Sequence, residues 1–132
     1  MDSSAMTDLS EMLRTLECTV REGDYVYAVV EQARLAQLPF AAAVHEVEGW
    51  TVVLTRAEAD RAGLSYDFVA AWITLTIHSS LQAVGLTAAF SKALGEASIS
   101  CNVLAGAYHD HILVPVERRD DALAVLRGLR TR

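Results

Sequence analysis

The sequence has no long hydrophobic run and no excess of positive charge. No stretch approaches the roughly 20 uninterrupted apolar residues of a membrane helix, so we expect no membrane partner. The formal net charge is −6, with 11 Lys and Arg against 17 Asp and Glu. Because a nucleic-acid binder needs a clustered excess of basic residues to neutralise phosphates, we expect no nucleic-acid partner either.

Basic residues gather only near the C-terminal end of the chain. There they are interleaved with acidic residues, as is typical of a solvated helix face. The residues of this stretch are Arg118, Arg119, Arg127, Arg130 and Arg132, with Glu117, Asp120 and Asp121 between them. We interpret the stretch as a surface-exposed helix.

Cysteine is rare, and no targeting segment is evident. Cys18 and Cys101 are isolated and lack CxxC spacing, so we expect reduced core residues rather than a disulfide or a zinc site. The first residues, MDSSAMTDLSEML, are acidic and lack the basic and apolar regions of a secretory signal. We therefore expect a soluble, cytoplasmic protein.

The second half of the sequence has the element order of a common structural unit. A chain of 132 residues fits one compact domain or two very small ones. From Trp72 onward it reads strand, glycine-containing turn, helix, strand, short turn, strand and helix. This order is most of a ferredoxin-like β-α-β-β-α-β unit.

The first half follows a similar order. Tyr25–Val30 is rich in β-branched and aromatic residues, and a Glu48-Gly49 hairpin joins two later strands. We count about six strands, whereas two complete units need about eight. The sequence therefore predicts an α+β protein of two similar halves around an antiparallel sheet. The halves, residues 1–68 and 69–132, would be fused through the strand at residues 72–77.

Two stretches resemble a known family. The run ITLTIHSSLQAVGLTAAFSKALGEASISCNVLAGAYHDHILVP is similar to the ACT-like domain of a small family of bacterial proteins. The stretches GDYVYAVV and EVEGWTVVLTRAEADRAGL resemble the first half of the same family. The shared pattern is a strand, a helix that begins at glycine, and a strand opening with an Ile-x-x-Asn-like phrase, here ISCN at residues 99–102.

This resemblance implies a non-catalytic regulatory protein that binds an amino acid. In such modules the ligand lies between a strand-to-helix turn and a strand of the neighbouring unit. The matching turn residues are His78, Ser79, Ser80, Leu81, Gly85 and Leu86, with Thr87 at the opening of the helix. The matching strand residues are Asn102, Val103 and Leu104. No cofactor is implied. With no catalytic domain in this sequence, such a sensor would act through a partner enzyme.

The residue types at this turn suit an amino acid. Free backbone N–H groups at a helix start, assisted by the helix dipole, bind a carboxylate. Ser79, Ser80 or Thr87 could add hydroxyl hydrogen bonds, while Asn102 or Asp110 could accept from the ammonium group. The alternative is that the serines satisfy turn amides and Gly85 permits close packing.

Two further hypotheses belong to other classes. In a strand, His109 and His111 would share one face and could bind a metal, with His78 as a third ligand. Alternatively, the chain is a ligand-free interaction module. Hydrolysis by His78 with Ser79 or Ser80 is not expected, because adjacent strand residues face opposite sides and no Gly-x-Ser-x-Gly elbow is present. Open strand edges in a small protein favour a homodimer.

Overall fold

The structure, a computed structural model, describes residues 3–77 and 85–131. The elements in chain order are α1 (Ser3–Arg14), β1 (Glu17–Val20), β2 (Tyr25–Val30), α2 (Gln32–Leu35), β3 (Ala42–Glu46), β4 (Gly49–Thr55), α3 (Arg56–Arg61), β5 (Val69–Thr76), α4 (Leu86–Glu96), β6 (Asn102–Ala105), β7 (Asp110–Pro115) and α5 (Arg119–Gly128). Short 3₁₀ helices, Val116–Arg118 and Leu129–Thr131, flank α5. No helix in the described ranges is long and apolar enough to cross a membrane.

The chain forms two compact units that are nested in the sequence. The inner unit is Glu22–Ala71. The outer unit combines the segment that ends at Arg21 with the segment that begins at Trp72. The division into two repeats at residues 1–68 and 69–132 remains a prediction. The compact units are divided differently, because the residues before Glu22 make their contacts with the second half of the chain.

The inner unit is a four-stranded antiparallel arrangement in the order β3-β4-β2-β5. Alternate residues of β2 and β4 form its core, because strand side chains point to opposite faces in turn. The core residues are Val26, Ala28, Val30, Val52, Leu54 and Ala59. Thr55 caps α3, accepting a hydrogen bond from the Glu58 N–H at 3.2 Å.

In the outer unit, β5 lies between β1 and β7, and β6 pairs with β7. Helices α4 and α5 pack against each other, and α1 packs against the 3₁₀ helix Leu129–Thr131. Burial follows the helical period in α4, where Leu86, Phe90, Ala93 and Leu94 are buried. The strands contribute the buried side chains of Ile73, Leu75, Ile112 and Val114.

Each unit contains a β-α-β-β-α segment, β2-α2-β3-β4-α3 in the inner unit and β5-α4-β6-β7-α5 in the outer unit. At the start of β5, Val69 and Ala70 pair with β2, so β5 is the last strand of the inner unit. Residues 73–76 pair with β1, and β5 is the first strand of the outer unit. Strand β5 therefore contributes pairing to both units, and the fusion of two repeats through residues 72–77 stays a prediction.

The fourth strand of the outer unit comes from the start of the chain. Strand β1 was not expected, so the described residues contain seven strands rather than about six. The segment ECTV is short and half polar, and it follows directly after a helix. Its partner strand lies more than fifty residues away in the sequence, so no local sequence pattern predicts the pairing.

Candidate functional site

The predicted ligand-binding residues divide into three sets. His78, Ser79, Ser80 and Leu81 lie outside the described residues. Gly85, Leu86 and Thr87 open α4, and Asn102, Val103 and Leu104 begin β6. No hydrogen bond or ion pair between described residues joins the second set to the third.

Helix α4 begins at a glycine that the backbone requires. Gly85 is the N-cap with φ 97° and ψ −22°, a left-handed conformation that favours glycine. A Cβ at this position would lie 3.3 Å from Cδ2 of Leu9 in α1. The Gly85 carbonyl accepts a hydrogen bond from the Ala89 N–H at 2.9 Å. Gly85 therefore both starts the helix and lets α1 approach it.

The first turn of α4 is chemically open to an anion. No side chain of the described residues caps this start, and the turn contains no acidic residue. The first N–H groups of a helix have no intrahelical acceptor, and the dipole adds about half a positive charge there. Leu86 is buried and Thr87 is exposed. The turn can therefore offer backbone donors, and the Thr87 hydroxyl, to a carboxylate.

Strand β6 lies at an edge of the outer unit. Asn102 pairs with Leu113 of β7, and its side-chain Nδ2 donates to the Leu113 carbonyl at 3.2 Å. Asn102 is exposed, while Val103 and Leu104 are half-buried. The hydrogen bond fixes the Asn102 side chain and leaves its amide oxygen as an acceptor.

A row of polar side chains connects β5 to the start of β7. The Trp72 indole N–H donates to Nδ1 of His111 at 3.1 Å. The Thr74 hydroxyl lies 3.1 Å from the same nitrogen, and the Thr76 hydroxyl lies 3.3 Å from Nδ1 of His109. The sequence analysis singled out the two histidines, but it did not connect them to the side chains of β5.

The hydrogen bond from Trp72 favours one tautomer of His111. An indole nitrogen can only donate, so its bond to Nδ1 fits the form with the ring proton on Nε2; the same indole nitrogen also lies 3.2 Å from the Thr74 hydroxyl. Burial lowers the pKa of His111, the positive charges of Arg21 and His109 lower it further, and Asp110 opposes them. The guanidinium carbon of Arg21 lies 4.0 Å from the Trp72 ring centroid. His111 is accordingly held neutral in this row.

The histidines do not form a recognisable metal centre. The ring centroids of His109 and His111 are 6.2 Å apart, and Nδ1 of each ring faces a threonine. In residues 3–77 and 85–131, no group of three His, Cys, Asp or Glu side chains could hold a metal ion. His78, the third ligand in the metal-binding hypothesis, lies outside the described residues.

The two cysteines are free and half-buried. Burial raises the pKa of the Cys18 thiol, against the opposing positive charges of Arg127 and Arg130. Burial also raises the pKa of Cys101, against a hydrogen bond with Ser91. Neither thiol has the lowered pKa of a reactive nucleophile.

Comparison with known proteins identifies this architecture. Residues 4–71 and residues 68–128 each match a family model described as ACT domain. A Vibrio cholerae protein of unknown function, described as a possible transport protein, is 40% identical. The match covers 96% of this chain and 98% of that chain, with a TM-score of 0.87. The class is therefore a ferredoxin-like α+β protein with two halves. The chain belongs to the ACT domain family.

More distant structures share the fold. The regulatory subunit of aspartate kinase from Thermus thermophilus, in its ligand-free form, is 9% identical with a TM-score of 0.64. That match covers 85% of this chain and 95% of that chain. Aspartokinase III from E. coli, solved with aspartate and ADP, is 13% identical with a TM-score of 0.62, covering 92% of this chain and 34% of that chain. No curated protein is significantly similar to the chain.

These findings confirm the predicted family and fold. ACT domains are regulatory modules that bind small ligands, so membership supports a small-ligand-binding regulatory role in general.

Proposed function

We propose that this protein is a regulatory sensor whose ligand is an amino acid, bound through its carboxylate at the start of α4. The observation that carries the proposal is the uncapped first turn of α4, which has no acidic residue. A ligand carboxylate there would satisfy backbone N–H groups and the positive end of the helix dipole. The ACT family supports this use of the turn.

The ammonium group needs acceptors, and β6 supplies them. The amide oxygen of Asn102 and the outward carbonyls of an edge strand are suitable partners. We propose that the acceptors come from β6 of a second copy, so that the site is complete in a homodimer. The segment NVLA of β6 contains no charged residue and no proline, the features that commonly block pairing at a sheet edge.

A thermal-shift screen of the protein against the twenty amino acids tests this function. A ligand that binds only the folded state stabilises it by about 2.7 kcal/mol at a hundredfold excess over Kd. For a chain of this length, that corresponds to a rise in Tm of about 10 °C. The screen should include divalent metals, because a metal response lost in His109→Ala would instead support the histidine site.

A matched pair of variants locates the site. Thr87→Glu places a carboxylate in the first turn of α4. There it would compete with the ligand carboxylate and would itself interact favourably with the helix dipole. Thr87→Gln has the same shape without the charge. We expect Thr87→Glu to weaken amino-acid binding at least tenfold while keeping Tm, and Thr87→Gln to bind like the wild type.

Two outcomes would contradict the proposal. Equal binding by both variants would place the ligand elsewhere. If no amino acid raises Tm and a pull-down recovers a stable partner, the ligand-free interaction module is favoured instead.

A further inference from the structure

A pocket lies on the outer unit, among residues of α1, α5 and the C-terminal 3₁₀ helix. It has a volume of about 400 Å³ and is lined by Arg14, Arg127, Arg130 and Thr131. Arg14 ends α1, and Arg127 lies in the last turn of α5. The other two belong to the 3₁₀ helix Leu129–Thr131, which packs against α1. The fold therefore brings three arginines that are far apart in the sequence to the lining of one pocket.

These three arginines differ from the other basic residues of the described chain, each of which has a partner. The partnered residues are Arg21 over the Trp72 ring, Arg34 with the Ala62 carbonyl, Arg56 with Tyr66, Arg61 with Glu58, Lys92 with Glu96, Arg118 with Asp121 and Arg119 with Asp120. Within residues 3–77 and 85–131, Arg14, Arg127 and Arg130 form no side-chain hydrogen bond or ion pair.

The absence of acidic partners is notable because the chain has a net charge of −6. Acidic residues are in excess overall, yet among the residues that the structure describes no acidic one lines this pocket. Interaction with helix C-termini explains only part of the cluster. The ends of α1 and α5 each carry about half a negative charge, whereas the arginines carry three full positive charges. The pocket therefore keeps a positive excess.

The terminal arginines consequently fall into two classes. Arg118 and Arg119 pair with aspartates of α5, in agreement with a solvated helix face. Arg127 and Arg130 instead line the pocket together with Arg14, which is more than one hundred residues away in the sequence. A sequence pattern on α5 alone does not reveal this convergence.

We propose that this pocket binds a small anion with at least two negative charges, carried by phosphate or carboxylate groups. Planar guanidinium groups bind both kinds of group through paired N–H donors. The volume lies in the range of small-molecule sites, about 300–1,000 Å³. The Thr131 hydroxyl already donates to the Gly128 carbonyl at 3.1 Å, so the arginines supply the donors.

Binding of defined anions to the full chain tests the proposal. Calorimetric titrations would use phosphate, pyrophosphate, succinate and citrate, each at ionic strength matched with NaCl. We expect pyrophosphate or citrate to bind measurably, and Arg127→Gln and Arg130→Gln to weaken binding at least tenfold. Arg119→Gln, on the same helix but outside the pocket, should bind like the wild type. Preference between the phosphate and carboxylate series identifies the anion class.

Cys18 provides a second readout near the pocket. Because Arg127 and Arg130 oppose the raised pKa of Cys18, an anion that neutralises them should raise this pKa further and slow thiol labelling at fixed pH. Labelling of Cys101 should keep its rate. This measurement remains informative if a variant proves too unstable for calorimetry.

Three results would overturn the proposal: no anion binds beyond the matched NaCl control, the arginine variants bind as tightly as the wild type, or Cys18 and Cys101 respond equally. The outcome is independent of the amino-acid site, because Thr87→Glu leaves the arginine pocket intact and Arg127→Gln leaves the start of α4 intact.

Discussion

The two units of this protein share a β-α-β-β-α segment, but the first helix of that segment differs greatly between them. In the inner unit, α2 has only four residues, none of them buried. In the outer unit, α4 has eleven residues and buries four side chains. The strands of the β-α-β-β-α segment are thus kept in both units, whereas the first helix is substantial in only one.

The helix starts differ in charge as well as length. The N-cap of α2 is Glu31, an acidic residue whose negative charge would disfavour an anion at this helix start. The N-cap of α4 is Gly85, which has no side chain. If a ligand carboxylate binds at a helix start, the comparison favours α4 over α2.

The faces of the strands differ too. In the outer unit, one face of β5 carries Thr74 and Thr76, which contact histidines. In the inner unit, the corresponding surface includes Val29, 64% exposed, and Val44, 50% exposed. Val29 of β2 and Val44 of β3 are each paired with Thr51 of β4, the strand between them. One repeat therefore presents hydrogen-bonding groups and the other presents apolar surface.

The largest expected effect concerns the packing of the two first helices. Phe90→Ala in α4 removes a fully buried ring and should cost about 3–5 kcal/mol of unfolding free energy. Leu35→Ala in α2 removes a half-buried side chain and should cost about 1 kcal/mol. Urea denaturation monitored by circular dichroism gives both values. Equal costs would show that α2 contributes as much stability as α4.

Alanine substitutions at two glycines, the N-cap of α4 and a position inside it, should change the unfolding free energy by smaller amounts and in opposite directions. Gly85→Ala should destabilise by about 1–2 kcal/mol, because φ is positive and Leu9 is close. Gly95→Ala should stabilise by about 0.5–1 kcal/mol, because Gly95 is helical and has open space around its Cα. The same denaturation assay applies. Two changes of the same sign would argue against the left-handed N-cap.

The smallest effect is the pH dependence that the histidine row adds to the outer unit. Since folding lowers the pKa of His111, the unfolded chain binds more protons, and stability should fall as pH drops through about 6.5, the unfolded value. Trp72→Phe removes the indole donor and should raise the pKa of His111. NMR titration of the ring measures this directly. An unchanged titration in Trp72→Phe would exclude the hydrogen bond as a cause.

The sequence predicted local features better than convergent ones. The bounds of β2, Tyr25–Val30, follow from its β-branched and aromatic residues and agree with the structure. The glycine start of α4 is also a local signal. By contrast, Trp72 contacts His111 through a register between strands 39 residues apart. Arg14 and Arg127 meet only because α1 packs beside the C-terminal 3₁₀ helix. Such contacts depend on tertiary pairing, which single-sequence patterns do not encode.

The nested order of the two units has a consequence for synthesis on the ribosome. The inner unit is complete once Ala71 has emerged, whereas α1 must wait for the residues at Leu129–Thr131. At about 5–20 residues per second, this delay is about 3–12 seconds. Throughout it, Leu13 and Leu16, buried in the finished protein, are without their final neighbours. Helix α1, although translated before the inner unit, is thus among the last elements to reach its final packing, and until then the nascent chain exposes it to chaperones and proteases.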